Sequence, residues 1–313
     1  MDHLPSWNDG PAKSAIEKFV RAATDSAGPQ FVPEDERIAT FDQDGTMWVE
    51  HPTVTQLSFA LARVFALAPK NPKWKDTEPF KSILAHDQAA IAKFTMQDLE
   101  AIVMATHAGM ATGDFHSIVS DWVTNARDPR WNRRYTELVY QPMLELMQYL
   151  RANGFKVYIV TGGGQAFVRT FAQQVYDIPP QRVIGSAAKT SYSYTDEGRG
   201  VLMKQPAFLF FDDTAAKAED IYLFLGRRPH AAFGNSDGDR QMLEYTHGNS
   251  GATLAMLVLH DDAEREYAYG PANGLPDVKL SPFSQATFDE ATAKGWPVIS
   301  IKNDWKRIFA FEP

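Results

Sequence analysis

Short apolar runs recur along the chain, and each breaks off into a polar cluster. Ile38-Ala39-Thr40-Phe41 ends at Asp42, and Val157-Tyr158-Ile159-Val160 ends at Thr161-Gly162-Gly163-Gly164. Ala231-Ala232-Phe233 ends at Gly234-Asn235-Ser236, and Thr253 to Leu259 ends at His260-Asp261-Asp262. Continuous apolar runs bounded by turn residues read as strands buried on both faces. A helical pattern follows each turn. Strands alternating with helices predict an α/β fold with a doubly wound parallel sheet, whose ligands gather at the carboxyl ends of the strands. The polar clusters fall at those ends.

More than a hundred residues separate the first two runs, far more than a crossover needs. Leu99, Ile102, Val103 and Thr106 keep helical spacing there, and Leu144, Met147 and Leu150 do so before a stop at Asn153-Gly154. The pattern predicts an inserted α-helical cap over residues 50–145, with 1–49 and 146–313 forming the α/β core. Within the cap, Arg130, Trp131, Arg133, Arg134 and Tyr135 form a basic and aromatic island, which can meet an anionic substrate or simply face water. Downstream, the pattern predicts a helix over Gln165–Tyr176, another over Phe283–Ala293, and an edge strand over Val298–Ile301.

Composition narrows the classes. The 313 residues are 44% hydrophobic and 22% charged, as in ordinary folded proteins. Thirty-one basic against 39 acidic residues give a net charge of −8, which argues against nucleic acid or an anionic membrane as partner. Without cysteine there is no disulfide, thiolate metal site or cysteine nucleophile. No apolar stretch reaches membrane-spanning length, and the first residues lack a leader pattern. The expectation is a soluble protein, cytoplasmic, or periplasmic if a signal peptide was removed upstream. Nothing in the pattern reports oligomeric state.

The candidate chemistry sits in four clusters. Asp42 and Asp44, two residues apart at a strand end, suit a nucleophile and a proton donor, and Gly45 permits the sharp turn that follows. The bland alternative is a solvated turn. Thr161 with Gly162 and Gly163 offers a hydroxyl and backbone N–H groups for an anion, or merely a glycine-rich connection. Lys217 lies in the first turn of a helix, against the helix dipole, which suggests a counter-charge such as a phosphate or Asp42. Asn235, Asp237 and Asp239 present hard oxygens of the kind Mg²⁺ prefers. The histidines show no paired metal-ligand spacing, so His51, His107, His116 and His230 read as structural or surface residues.

Four such clusters in order at one sheet edge resemble the haloacid dehalogenase-like superfamily, on its phosphoserine phosphatase-like branch, over residues 36–50 and 150–260. The resemblance implies a Mg²⁺-dependent phosphatase working through an aspartyl-phosphate on a small phosphorylated metabolite. It implies Asp42 as nucleophile, Asp44 as general acid/base, Thr161 and Gly162 on the phosphoryl group, and Lys217 as charge balance. Asp42, the Asp44 carbonyl and the acidic loop with Asn235 and Asp239 would hold the metal. Glu50 resembles a substrate-facing glutamate of that branch but lies one residue closer to the nucleophile. Asn235 stands where relatives usually carry aspartate, which removes one negative charge. A phosphotransferase, a dehalogenase of the same fold, and a catalytically quiet phospho-ligand binding protein are the alternatives.

Overall fold

The structure, a computed structural model, describes residues 2–91 and 93–312. Helix α1 (Pro11–Thr24) precedes strand β1 (Ile38–Phe41). Then come α2 (Thr55–Leu67), α3 (Phe80–Leu84), α4 (Gln88–Ile91), α5 (Met96–His107), α6 (Thr112–Asn125) and α7 (Gln141–Ala152). Strand β2 (Lys156–Gly164) leads into α8 (Gln165–Val168), α9 (Ala172–Tyr176) and a long hairpin, β3 (Val183–Tyr194) and β4 (Gly200–Phe210). The chain ends with α10 (Ala215–Leu225), β5 (Ala231–Gly234), α11 (Arg240–His247), β6 (Leu254–Leu259), α12 (Gln285–Lys294), β7 (Val298–Ser300) and α13 (Ile301–Asp304).

The seven strands run in the order β4-β3-β2-β1-β5-β6-β7, parallel except for β4 against β3. Because successive strand residues point to opposite faces, the apolar runs feed two cores. Ile159 and Phe233 join the cluster under α1 and α7, while Val160 and Ala232 join the one under α10, α11 and α12. At the centre Phe41 stacks on Phe233 with ring centroids 4.4 Å apart. The sheet is therefore buried on both faces, and ligand access is left to its carboxyl edge.

Between β1 and β2 the described residues form helices and no named strand. Their own small cluster, Ala60, Val64, Phe80, Ile83 and Ile102, lies apart from the main cores. Phe59 of α2 and Phe115 of α6 instead join the main core, so the inserted helices sit firmly on the sheet edge. No helix among the described residues is long and apolar enough to cross a membrane.

Three local features differ from the pattern-based expectation. The helix expected over Gln165–Tyr176 breaks between α8 and α9, where Phe171 leaves helical geometry at φ −124° and Arg169 donates to the carbonyls of Pro180 and Val183 at 2.8 and 3.0 Å. Strand β2 continues through the glycines to Gly164, because β3 supplies pairing partners up to Ser186. The hairpin β3–β4 is longer than the extended, hairpin-ending segment that the sequence suggests around Lys204, because the outer half of β3 is exposed and rich in Ser, Thr and Tyr.

The basic island also resolves. Arg130 donates to the backbone carbonyls of Glu266, Ala263 (3.2 Å) and Glu264 (3.0 Å), and its guanidinium lies 4.4 Å from the Tyr267 ring centre. Arg133 and Arg134 pair with Glu137 at 3.3 and 3.1 Å. Arg130 thus fastens the base of the inserted helices to the loop after β6. Charged hydrogen bonds contribute about 1.5–3 kcal/mol, so Arg130→Ala should lower unfolding free energy by about 2 kcal/mol in urea titration. Arg130→Lys should recover little of it, since an ammonium cannot span three carbonyls. Unchanged stability of the alanine variant would remove this fastening role.

Candidate active site

The site begins where β1 runs out. Buried Asp42 accepts from Lys217 Nζ at Oδ1, 2.6 Å, and the same ammonium reaches Asp239 Oδ1, also at 2.6 Å. Lys217 gets there because α10 opens at Thr214, just after β4, and packs on β2 and β3, so its first turn lies within side-chain reach of the end of β1. Burial would lower the Lys217 pKa, but Asp239 and Asp42 hold it above the ordinary lysine range. Burial first, then the charge of Asp239, pushes Asp42 well above the usual carboxylate range despite Lys217. The cluster carries more negative charge than one ammonium offsets.

Asp44 accepts from Trp48 Nε1 at 2.7 Å through Oδ1, while its Oδ2 faces Gly163. Burial raises its pKa to about 6, opposed by the Trp48 bond and by Lys217. The turn between the two aspartates and Trp48 needs Gly45, at φ +74°, because a Cβ there would strike the Asn235 amide and the Glu50 carboxyl. His260 Nε2–H donates to the Gly45 carbonyl at 2.7 Å, and its Nδ1 lies 3.0 Å from Glu266 Oε2. A buried polar pair thus braces the turn from below.

The loop after β5 is organised by Asp239. Its Oδ2 accepts from the Asn235 and Ser236 backbone N–H groups at 2.9 and 3.1 Å and from the Ser236 hydroxyl at 3.2 Å. With Oδ1 on Lys217, both oxygens of Asp239 are committed to protein donors. Asp239, expected to help hold the metal, here also braces this loop. Asp237 accepts from Ser284 N and Oγ, both at 2.9 Å, and is drawn toward α12. Asn235 accepts from Thr46 Oγ1 at 3.2 Å and donates from Nδ2 to Glu50 Oε1 at 2.8 Å.

Glu50, expected to face substrate, lies behind the turn instead. It is 3% exposed, is absent from the cavity wall, and accepts from Tyr269 at 2.8 Å. Burial first, then the Asp44 charge, pushes its pKa well above the usual range.

Asp42, Asp44, Thr161, Gly162, Gly163 and Lys217 all line one cavity of about 580 Å³. The glycine N–H groups expected to cradle an anion are partly used: Gly163 N donates to Thr161 Oγ1 at 3.0 Å and Gly164 N to Gln56 Oε1 at 2.6 Å.

The model of the haloacid dehalogenase-like hydrolase family matches residues 39–244, two strand-end aspartates, Lys217 and the loop after β5 included. The chain belongs to this family. No curated protein matches it. Among solved structures, a functionally unknown protein from Anaerococcus prevotii DSM 20548 is 15% identical over 80% of this chain and 86% of its own, with a TM-score of 0.52. A protein of unknown function from Bordetella pertussis Tohama I is 14% identical over 84% and 98%, TM-score 0.49. A phosphoserine phosphohydrolase-like protein from Francisella tularensis subsp. tularensis SCHU S4 is 16% identical over 72% and 88%, TM-score 0.38. At such identities the likeness is one of fold.

In this haloacid dehalogenase-like hydrolase the inserted helices reach the glycine loop through a hydrogen-bond relay that no sequence motif announced. Gln56, in the first turn of α2, accepts from Gly164 and donates to His107 Nε2 at 3.2 Å. His107 Nδ1–H then donates to Thr106 Oγ1 at 2.7 Å, and Thr106 donates to the Ile102 carbonyl. A Cβ on residue 164 would meet the Gln56 amide at 2.7 Å, so glycine is required for this approach. Burial first, then the nearby Lys204 charge, lowers the His107 pKa to about 3, so the ring is neutral. His107 is buried as a structural histidine would be, yet it also lines the cavity. A single Gln or His carries no spacing signal, which is why neither stood out.

Asp212, fully buried beside Lys217, is a second unannounced group. Burial raises its pKa from 3.8 to about 8, against the pull of Lys217 and with the help of neighbouring Asp220. A carboxyl raised in the folded state binds its proton while the unfolded chain has already lost it. Its stability contribution is full below pH 3.8 and falls as pH rises toward about 8. Asp212→Asn should therefore gain stability relative to wild type across that window and level off above it, as read by thermal melts at stepped pH. A difference independent of pH would refute a protonated Asp212.

Proposed function

We propose that the chain hydrolyses a phosphate monoester of a small metabolite, with Asp42 as nucleophile, Asp44 as general acid/base and Mg²⁺ as cofactor. The observation that carries this reading is Asp42 and Asp44 lining one cavity while Lys217 grips only Oδ1 of the nucleophile.

The residues fit a hard cation. Among the described residues no cluster of three or more His, Asp or Glu side chains is gathered for a metal ion. The available donors are mixed oxygens: Asp42 Oδ2, the Asp44 backbone carbonyl and the Asn235 amide oxygen, whose orientation is set by Thr46 and Glu50. The excess negative charge around Lys217 favours a cation there. Bound Mg²⁺ would neutralise charge on the phosphoryl oxygens.

The protein's own groups then do the following. Asp42 attacks phosphorus in line, the ester P–O bond breaks, and Asp44 gives its proton to the leaving oxygen, which departs as an alcohol. Asp44, now a carboxylate, takes a proton from water as the water oxygen attacks the aspartyl-phosphate. The P–O bond to Asp42 breaks, inorganic phosphate leaves, and both aspartates return to their starting states. Lys217 keeps Asp42 aimed, and Thr161 offers its hydroxyl to the phosphoryl oxygens.

Asp42→Asn should abolish turnover of an aryl phosphate in well-folded protein. Asp44→Asn should cost about 10²–10⁴-fold, the usual worth of proton transfer. Retention of more than a few per cent of the rate by Asp42→Asn would end the covalent reading.

The metal has its own test. Asn235→Asp alone sets a carboxylate against Glu50, 2.8 Å from the present amide nitrogen, and should lower the melting temperature. Pairing it with Glu50→Gln restores a donor and acceptor across the same gap. Calorimetry should then show tighter Mg²⁺ binding by the double variant than by wild type. Equal affinity would exclude position 235 as a ligand.

A further inference from the structure

The cavity extends well beyond a phosphate. It lies between α5, α6, the glycine loop and the hairpin, and much of its wall is apolar, including Leu57, Leu99, Val103, Leu202 and Phe208. Its volume of about 580 Å³ falls in the range that encloses a drug-sized molecule. Asp42, Asp44 and Lys217 line it at the sheet edge, and Lys204 lines it from β4.

Lys204 is an unusual wall residue. It is 6% exposed, and its ammonium lies 4.4 Å from the ring centre of Phe115. Its backbone is clamped where β4 meets the inserted helices: Lys204 N donates to Met110 O and Lys204 O accepts from Gly109 N, each at 2.9 Å. Other lining cations are engaged, Lys217 by Asp42 and Asp239 and Arg169 by backbone carbonyls. Among the described residues no carboxylate or carbonyl bonds the Lys204 ammonium. A buried ammonium without a counter-ion is costly, and neighbouring His107 is neutral and offers no charge to balance it.

We propose that the substrate is a phosphate monoester with an extended apolar body whose far end carries a carboxylate, and that Lys204 receives that carboxylate. The floor holds the phosphate, the apolar wall holds the body, and Lys204 measures its length and far-end charge. Burial alone lowers the Lys204 pKa; an anionic partner would reverse that penalty. The Phe115 face steadies the ammonium without neutralising it. Lys204 is thus a specificity residue, and the proposal rests on the phosphatase reading for the phosphate end only.

The test compares ω-phosphooxy carboxylic acids of rising chain length with alkyl phosphates of the same length. At the matching length kcat/KM should favour the acid by about tenfold or more, the usual worth of a charged hydrogen bond. In Lys204→Met that preference should collapse toward one, chiefly through KM for the acid, and Lys204→Arg should restore part of it. Calorimetry with the phosphate-free ω-hydroxy acids supplies a readout independent of turnover, in which wild type binds and Lys204→Met does not. Hydrolysis without any preference for the acids, or a preference that survives Lys204→Met, overturns the proposal and leaves the phosphatase reading standing. Lys204-dependent binding of the ω-hydroxy acids without hydrolysis of any phosphate upholds the carboxylate subsite and refutes the phosphatase reading instead.

Discussion

One ammonium holds the site together. Lys217 sits 2.6 Å from Asp42 and 2.6 Å from Asp239, joining the end of β1, the loop after β5 and the first turn of α10. The pair of carboxylates would repel one another without it, and it would be an uncompensated buried charge without them. Three segments far apart in sequence are therefore fixed by a single mutual requirement. The orientation of Asp42 follows from it, since one carboxylate oxygen is taken and the other is left for chemistry.

A second layer supports this one from beneath. His260 holds the Gly45 carbonyl, Glu266 holds His260, and Tyr140 donates to Glu266 at 3.2 Å. Beside them Glu50 receives the Asn235 amide and the Tyr269 hydroxyl. These buried polar groups have no route to water, so their hydrogen bonds must be met within the protein. Asn235 makes sense in that setting. An amide can donate to Glu50 and keep its oxygen for another partner, whereas a carboxylate there would remove the donor that Glu50 Oε1 now accepts from.

The inserted helices and the hairpin add the walls. The relay from Gly164 through Gln56 and His107 to Thr106 ties α2 and α5 to the glycine loop. Lys204 and the Gly109–Met110 backbone tie α5 and α6 to β4. The same groups that close the fold around the cavity thus present their side chains to whatever fills it.

Local patterning determined much of this protein. The apolar runs at 38–41, 157–160, 231–233 and 253–259 specified central strands because burial on both faces demands continuous apolar residues. Parallel order then required Asp42, Asp44, Thr161 and Lys217 to meet at one edge, so these were legible without coordinates. The hairpin was legible only at Lys204, since the outer half of β3 is exposed and polar and gains its partner only from β4. Tertiary structure alone decided that Glu50 turns inward to Asn235, that Asp239 is shared between Lys217 and the Asn235–Ser236 loop, and that Gln56, His107 and Lys204 look into the cavity. Glu50 depends on Asn235 and Gln56 on Gly164, both more than a hundred residues away, and a hydrogen bond between distant segments leaves no period or spacing in the sequence.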